Sequence, residues 1–289
     1  MVDGPYDRHV RPGGQTRAGV PQWDIAVPMR PSRLAGTTMA GFSDRANSFV
    51  DVEVIPHPGV TMVFDLGDLP LVIDDGNGQE RRGRVVAGLA PNRVRGLGQP
   101  GSFTCLQVRM SPVVAHAVLG AASEVSGAVL DLDDLWGSDA LRTQERLRAA
   151  TSWEDRFAVA EAALARRHDA GRAVDPEVAF SWGRMVDSRG RLRMDRLAAE
   201  VGWSRKRLWS RFRSQIGVTP KRAAQLIRFD HAAHLLAAGH TPAAVAADSG
   251  YADQSHLHRD VTTFTGSTPA KVARAPFLAV DDVAWPVRR

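Results

Sequence analysis

The 289-residue chain predicts an α+β protein: a β-rich, barrel-like sensor domain carrying helices, then an all-α domain with two helix-turn-helix units joined by a linker helix. Three observations predict it. One short pattern occurs twice near the C-terminus. Short apolar or β-branched runs, punctuated by turn residues, fill the first half. Basic residues concentrate with the repeated pattern. The expected divisions are a flexible tail over 1–20, a β-rich regulatory domain ending in a helix pair over 21–172, a double helix-turn-helix domain over 173–275, and a C-terminal tail over 276–289.

Composition narrows the function classes first. A hydrophobic content of 44% is enough for packed cores. No apolar run of about 18 residues exists, so no membrane-spanning helix is expected. Residues 1–19 are polar and lack the apolar centre of a signal peptide. Cys105 is the one cysteine, which excludes an internal disulfide and a cysteine-based zinc site and suits the cytoplasm. The net charge of +5 is unevenly spread. Between Asp175 and Ala275 stand 16 lysines and arginines against 9 aspartates and glutamates, and the rest of the chain is slightly acidic. A local excess of this sign favours a polyanion such as DNA.

The first half reads as strands from Gly36 to Met110. Thr61–Leu66, Leu69–Ile73 and Arg84–Leu89 are short apolar runs, separated by turn residues such as Asp75-Gly76-Asn77-Gly78 and Gln99-Pro100-Gly101. In Thr104–Met110, Leu106, Val108 and Met110 alternate with Cys105, Gln107 and Arg109, the period of a half-buried strand. Short strands at this spacing suggest a small barrel or sandwich. Ser111-Pro112 then caps a helix that Gly120 stops, and an acidic connector spans Asp131–Trp136. A helix follows from about Ser138 to Ala150, and a capping box at Ser152–Asp155 opens another. Asp175-Pro176 starts the next helix by the same logic. His57 and His116 stand apart from other metal-ligating residues. Arg81-Arg82 and Asp74-Asp75 read as solvated turn charges. No phosphate loop or nucleophile elbow occurs, so no catalytic residue, metal or cofactor is expected.

The repeat carries the functional signal. Its first copy runs from Leu197-Ala198-Ala199-Glu200-Val201-Gly202 through Leu208 and Phe212 to Gly217-Val218-Thr219-Pro220. Its second runs from Val245-Ala246-Ala247-Asp248-Ser249-Gly250 through Leu257 and Val261 to Gly266-Ser267-Thr268-Pro269. The second copy has one extra turn residue between its glycine and its leucine. Leu197, Ala198 and Val201 share a helix face, and the small Ala198 and Ala246 suit a close crossing. Gly202 turns the chain, and Ser204 and Asp253 cap the helices that follow. With Leu208, Phe212, Leu257 and Val261 inward, the residues between them must face outward. Those are Arg205, Lys206, Trp209, Ser210 and Arg213 in one copy, and Gln254, Ser255, His258 and Arg259 in the other. Such a helix suits the major groove, where Arg or Lys reads guanine and Gln reads adenine.

The bridge between copies is a helix from Pro220 to about Ala238, capped by Thr219 and closed by Gly239. Ala223, Leu226, Ile227, Ala233 and Leu236 form its apolar side. At 1.5 Å per residue it spans roughly 27 Å, enough with its turns to hold two reading helices about one DNA turn apart. Thr241-Pro242 and Thr268-Pro269 repeat the cap at later starts. His231 and His234 share a face and read as surface or packing residues.

These residues resemble the AraC-type family of bacterial transcription regulators. The resemblance covers about Asp175 to Ala275 and is strongest from Ser249-Gly250-Tyr251-Ala252-Asp253-Gln254-Ser255-His256-Leu257-His258-Arg259-Asp260 through Gly266-Ser267-Thr268-Pro269. It implies a C-terminal half that binds double-stranded promoter DNA and an N-terminal half that senses a small-molecule effector or mediates dimerisation, with RNA polymerase as a further partner. Carried over by position, base contacts fall on Lys206, Trp209 and Ser210 and on Gln254, Ser255 and His258. Phosphate contacts fall on Arg205, Arg207, Arg213 and Arg259. Two departures stand out. Trp209 is bulky where a polar reader is common, and Val261 replaces the usual aromatic, which implies looser packing of the second unit. Two other functions compete: a DNA-repair alkyltransferase using Cys105 beside an appended reader, and a ligand-binding module whose reader has decayed.

Overall fold

The computed structural model describes residues 10–12, 23–44, 50–89, 93–98, 103–120 and 122–285. Eleven strands are described: β1 Val10–Pro12, β2 Trp23–Ala26, β3 Thr37–Asp44, β4 Val50–Val54, β5 Val60–Asp65, β6 Val72–Asp74, β7 Glu80–Arg82, β8 Arg84–Ala87, β9 Val94–Gly98, β10 Thr104–Met110 and β11 Val129–Asp131. They form two antiparallel sheets. The larger runs β1-β2-β3-β10-β5-β8-β11 and the smaller β4-β9-β6-β7. β6 and β7 form the hairpin around the Asp75–Gly78 turn. Val10–Pro12, expected within a loose tail, pairs with β2, and the expected turn at Gln99–Gly101 lies outside the described residues.

The seven-stranded sheet is covered on both faces. One face packs on α1 Pro112–Leu119, α3 Leu132–Trp136, α4 Ser138–Ala149 and α5 Trp153–Ala170, with Met62, Phe64, Leu106, Val108 and Met110 in that core. The short α2 Ala122–Val125 lies between α1 and α3 in sequence. The other face meets the small sheet through Ile25, Phe42, Val63, Val85 and Cys105. This corrects the reading of 104–110 as half-buried: Leu106, Val108 and Met110 face the helices, and Cys105 is fully buried on the opposite side. A central strand between two layers needs apolar groups on both faces. Gly41 in β3 has a separate reason. A Cβ there would lie 2.2 Å from the Trp153 ring, so the glycine lets the start of α5 lie against the sheet.

The caps behave as expected for α1 and α5. Ser111 Oγ accepts from Val114 N, Gly120 closes α1 in the left-handed region, and Ser152 Oγ accepts from Asp155 N. Asp131–Trp136 is a short helix after its first residue. Arg81 is not solvated alone but meets Asp131 at 2.7 Å.

The second half is helical: α6 Pro176–Asp187, α7 Met194–Glu200, α8 Arg205–Ile216, α9 Pro220–Ala237, α10 Pro242–Asp248, α11 Gln254–Thr265, α12 Pro269–Val272 and α13 Pro276–Ala284. Asp175 precedes α6 without capping it. Its carboxylate takes Arg211 Nε and Nη2 at 2.7 and 2.8 Å, and those hydrogen bonds hold it below the usual carboxylate range. One continuous core runs through both repeats and α9, including Leu208, Phe212, Phe229, Leu257 and Val261. The stretch expected as a C-terminal tail forms α13, which packs on α9, β2, β3 and β4.

Candidate nucleic-acid interface

The two repeats fold by the same local rules. After α7, Gly202 adopts φ +65°, and Trp203 N donates to Ala198 O at 3.0 Å. After α10, Gly250 adopts φ +73°, and Tyr251 N donates to Ala246 O at 2.9 Å. That pairing closes a helix end with a left-handed residue, which glycine adopts without steric cost. The second turn then spends its extra residue before the cap. Ser204 Oγ accepts from Arg207 N, and Asp253 Oδ1 accepts from His256 N at 2.7 Å. Ala198 and Ala246 are buried at the crossings, and Leu208, Phe212, Leu257 and Val261 are fully buried.

Inward packing fixes what faces out. On α8, Arg205, Lys206, Arg207, Ser210 and Arg213 are exposed and Trp209 is half-buried; on α11, Gln254, Ser255, His258 and Arg259 are exposed. The surface is partly pre-organised. Arg205 Nη1 meets Asp195 Oδ1 at 2.7 Å, and the Arg207 guanidinium lies 4.4 Å from the Trp203 ring centre. Arg259 Nε donates to Ser255 O at 3.4 Å. Apart from Trp209, the side chains carried over by position are exposed on the two reading helices, each of which starts at a capped N-terminus.

Val261 does not loosen the second unit. It is fully buried, and the aromatic contribution comes from Phe264, whose ring stacks on Phe229 of α9 at 4.9 Å. Arg222 lies 3.9 Å from the same ring. A charged group also ties this unit to the bridge: Arg228 of α9 pairs with Asp260 at 3.3 Å and sits 4.6 Å above Tyr251. Residue spacing did not reveal this cluster, because its members lie on different helices.

The β-rich domain contacts both reading units at the far ends of their helices. Ser126 Oγ donates to Ile216 O at 3.0 Å, at the end of α8. Arg93 Nε and Nη2 donate to Thr265 O and Gly266 O at 3.1 and 3.2 Å, at the end of α11. Ile216 and Thr265 occupy the same position of the repeat. Cations at helix C-termini complement the exposed carbonyls.

Between the sheets lies a cavity of about 80 Å³ with apolar walls that include Val52, Ile73 and Phe103. Its polar side chains are His57, Thr61, Gln107 and Arg109. His57 Nε2 is 2.7 Å from Thr61 Oγ1. Burial and then Arg109 push the imidazole down to about 3, so it is neutral at physiological pH. Arg109 also reaches Asp281 of α13 at 3.2 Å, and Trp285 lies 4.2 Å from its guanidinium carbon. His234, expected as a surface or packing residue, faces the same carboxylate. Cys105 is buried in the core between the sheets, and burial pushes its thiol far up, opposite to what a nucleophile requires.

No curated protein matches this chain. Solved structures similar to this chain include the following two. An apo variant of ToxT from Vibrio cholerae has a TM-score of 0.48 at 11% identity, covering 85% of this chain and 99% of that one. The C-terminal domain of AraT, a response regulator from Geobacillus stearothermophilus, has a TM-score of 0.33 at 20% identity, covering 35% and 86%. A helix-turn-helix domain family matches residues 197–275, from the core leucine of α7 to the residue before α13. That span holds both capped turns and α9, so the C-terminal region of this chain carries an AraC-type helix-turn-helix domain.

Proposed function

We propose that the chain reads two successive major-groove segments of promoter DNA with α8 and α11. Lys206, Trp209 and Ser210 contact bases from the first helix, and Gln254, Ser255 and His258 from the second. Arg205, Arg207, Arg213 and Arg259 contact phosphates. The observation that carries this reading is that both polar strips remain open while the β-rich domain is docked, since that domain meets the helices at their opposite ends. Trp209 is half-buried and suits apolar contact with a thymine methyl. The protein acts in the cytoplasm and engages RNA polymerase once on DNA.

The β-rich domain regulates this binding through a small-molecule effector in its cavity, and it is also the part through which two copies associate. Apolar walls with a few converging polar groups support the effector reading. Selection of bound sites from random DNA with the full-length chain tests the function. Recovery of two half-sites about one helical turn apart is the expected result. Recovery of no enriched sequence would sink the reading.

A further inference from the structure

The small sheet faces two ways. Side chains alternate along a strand, so Val52, Gly96 and Ile73, which are neighbours across β4, β9 and β6, form an inward row on the cavity. Glu53 and Arg93 point outward to the second reading unit. Arg93 holds the end of α11 through two carbonyls, and Glu53 accepts from Ser267 Oγ at 3.3 Å and pairs with Lys271 Nζ at 2.8 Å. A cleft of about 810 Å³ lies outside this sheet, and Val52 and Ile55 line both it and the cavity. The wall between the cavity and the second reader is one strand layer thick.

The first unit is held differently. Ser126 follows α2, and neither it nor Val125 lines the cavity. α1 and α2 of the β-rich domain pack on α8 there, with Leu89 in the helical core and Val113 against it. That contact is apolar and buried. The Arg93 and Glu53 contact is polar and partly exposed, the kind of contact that contributes least to holding two bodies together.

We propose that β4 and β9 transmit occupancy of the cavity to the second reading unit, with Glu53 and Arg93 as positioning residues that set the pose of α11. This rests on the reading of the chain as a DNA-binding regulator with an effector in that cavity. A packed side chain pushed aside on one face of a strand strains the backbone that carries its outward neighbours, because a dense interior leaves little free volume. Close-packed walls yield by discrete shifts, so a filled cavity repositions the grip on α11 and leaves that on α8 in place.

Gly96 supplies a probe that needs no ligand. A Cβ there meets only Ile73 Cδ1, at 3.9 Å, so Gly96→Ala adds bulk to the cavity at ordinary contact distance and Gly96→Val adds more. Full-length wild type, Gly96→Val, Arg93→Ala and the double variant are titrated with a DNA site selected from random sequence, by fluorescence anisotropy. Gly96→Val is expected to change Kd, and Arg93→Ala to suppress that change by about threefold or more. In the matching cycle with Ser126→Ala the effects are expected to be additive within about twofold. If Gly96→Val does not fold, Gly96→Ala carries both cycles. No change in Kd from the filler, additivity in the Arg93 cycle, or equal non-additivity in both cycles overturns the proposal while DNA reading stands. Absence of DNA binding by wild type removes the underlying reading, and the proposal with it.

Discussion

His234 Nε2 lies 2.9 Å from Asp281 Oδ2, joining α9 of the reader to the C-terminal helix α13. Arg109 of the β-rich domain holds the same carboxylate at 3.2 Å. One buried acid therefore sits between the domain that holds the cavity and the helix that spaces the two readers. Burial alone would raise the Asp281 carboxyl, but His234 and Arg109 outweigh it and hold it below its ordinary range. The hydrogen bond to Asp281 lifts His234 to about 9. Desolvation pushes the neighbouring Asp230 up to about 6.

A pH dependence follows with a definite sign. His234 has a folded pKa above its unfolded value of 6.5, so its contribution is fully present below that value and is lost as pH rises through about 9. Asp281 is depressed, so its contribution is present above about 4 and is lost in acid. Protonation of Asp230 below about 6 removes a further negative charge facing His234. Urea midpoints of wild type and His234→Gln should differ most near pH 6 and converge by about pH 10. A constant gap across that range would show that the pair does not titrate as a unit.

Arg205 is bound to Asp195, which makes its role in DNA binding separable. Arg205→Ala is expected to weaken all sequences alike and to flatten the salt dependence by about one unit. Asp195→Ala should act in the opposite direction, since it frees a guanidinium beside the groove. Lys206→Ala should instead cost about 1–3 kcal/mol and relax discrimination at one base position. Gel shifts across a salt series, on the selected site and on scrambled DNA, separate these three outcomes.

The Phe229–Phe264 stack carries the packing of the second unit. Phe264→Ala should destabilise the chain by about 3–5 kcal/mol, measured by urea denaturation. Val261→Phe should destabilise as well, because Val261 is fully buried in the same close-packed core as Phe264.

The reader was legible because its determinants are local. Ser204, Asp253, Thr219, Thr241 and Thr268 each cap the helix that follows them. Where a distant partner intervenes, local rules give the wrong role. Asp175 has the form of a cap and is taken by Arg211. The alternation in β10 is real, yet it cannot say that a second sheet covers the other face. Pro276 is at the first position of α13 and was a usable start signal, but nothing near Asp281 in sequence points to Arg109 or His234. The cavity was illegible for the same reason: its walls come from strands far apart in the chain.

Cys105 distinguishes regulation from alkyl transfer. Its thiol is fully buried, and burial raises its pKa, so the thiolate is scarce and inaccessible. A thiol reagent should label native protein far more slowly than protein in denaturant, and incubation with alkylated DNA should leave Cys105 unmodified by mass spectrometry. Rapid native labelling, or transfer of a methyl group to the sulfur, would reopen the repair reading.

The two readers should differ in what they contribute. The exposed face of α8 holds Arg205, Lys206, Arg207 and Arg213, whereas that of α11 holds Gln254, Ser255 and His258 with Arg259 as its one arginine or lysine. Each phosphate neutralised releases counterions and adds roughly 0.9 to the salt slope, so the first unit should dominate both affinity and its salt dependence. The second should act through hydrogen bonds to base edges, worth about 1–3 kcal/mol for each good bidentate pair. Alanine at Arg207 and Arg213 together should therefore lower affinity for every sequence. Alanine at Gln254 and His258 together should erase preference at one half-site while leaving the salt slope nearly unchanged. Equal loss of salt slope from both double variants would show that charge is shared between the units, and that the asymmetry visible on their surfaces has no energetic counterpart.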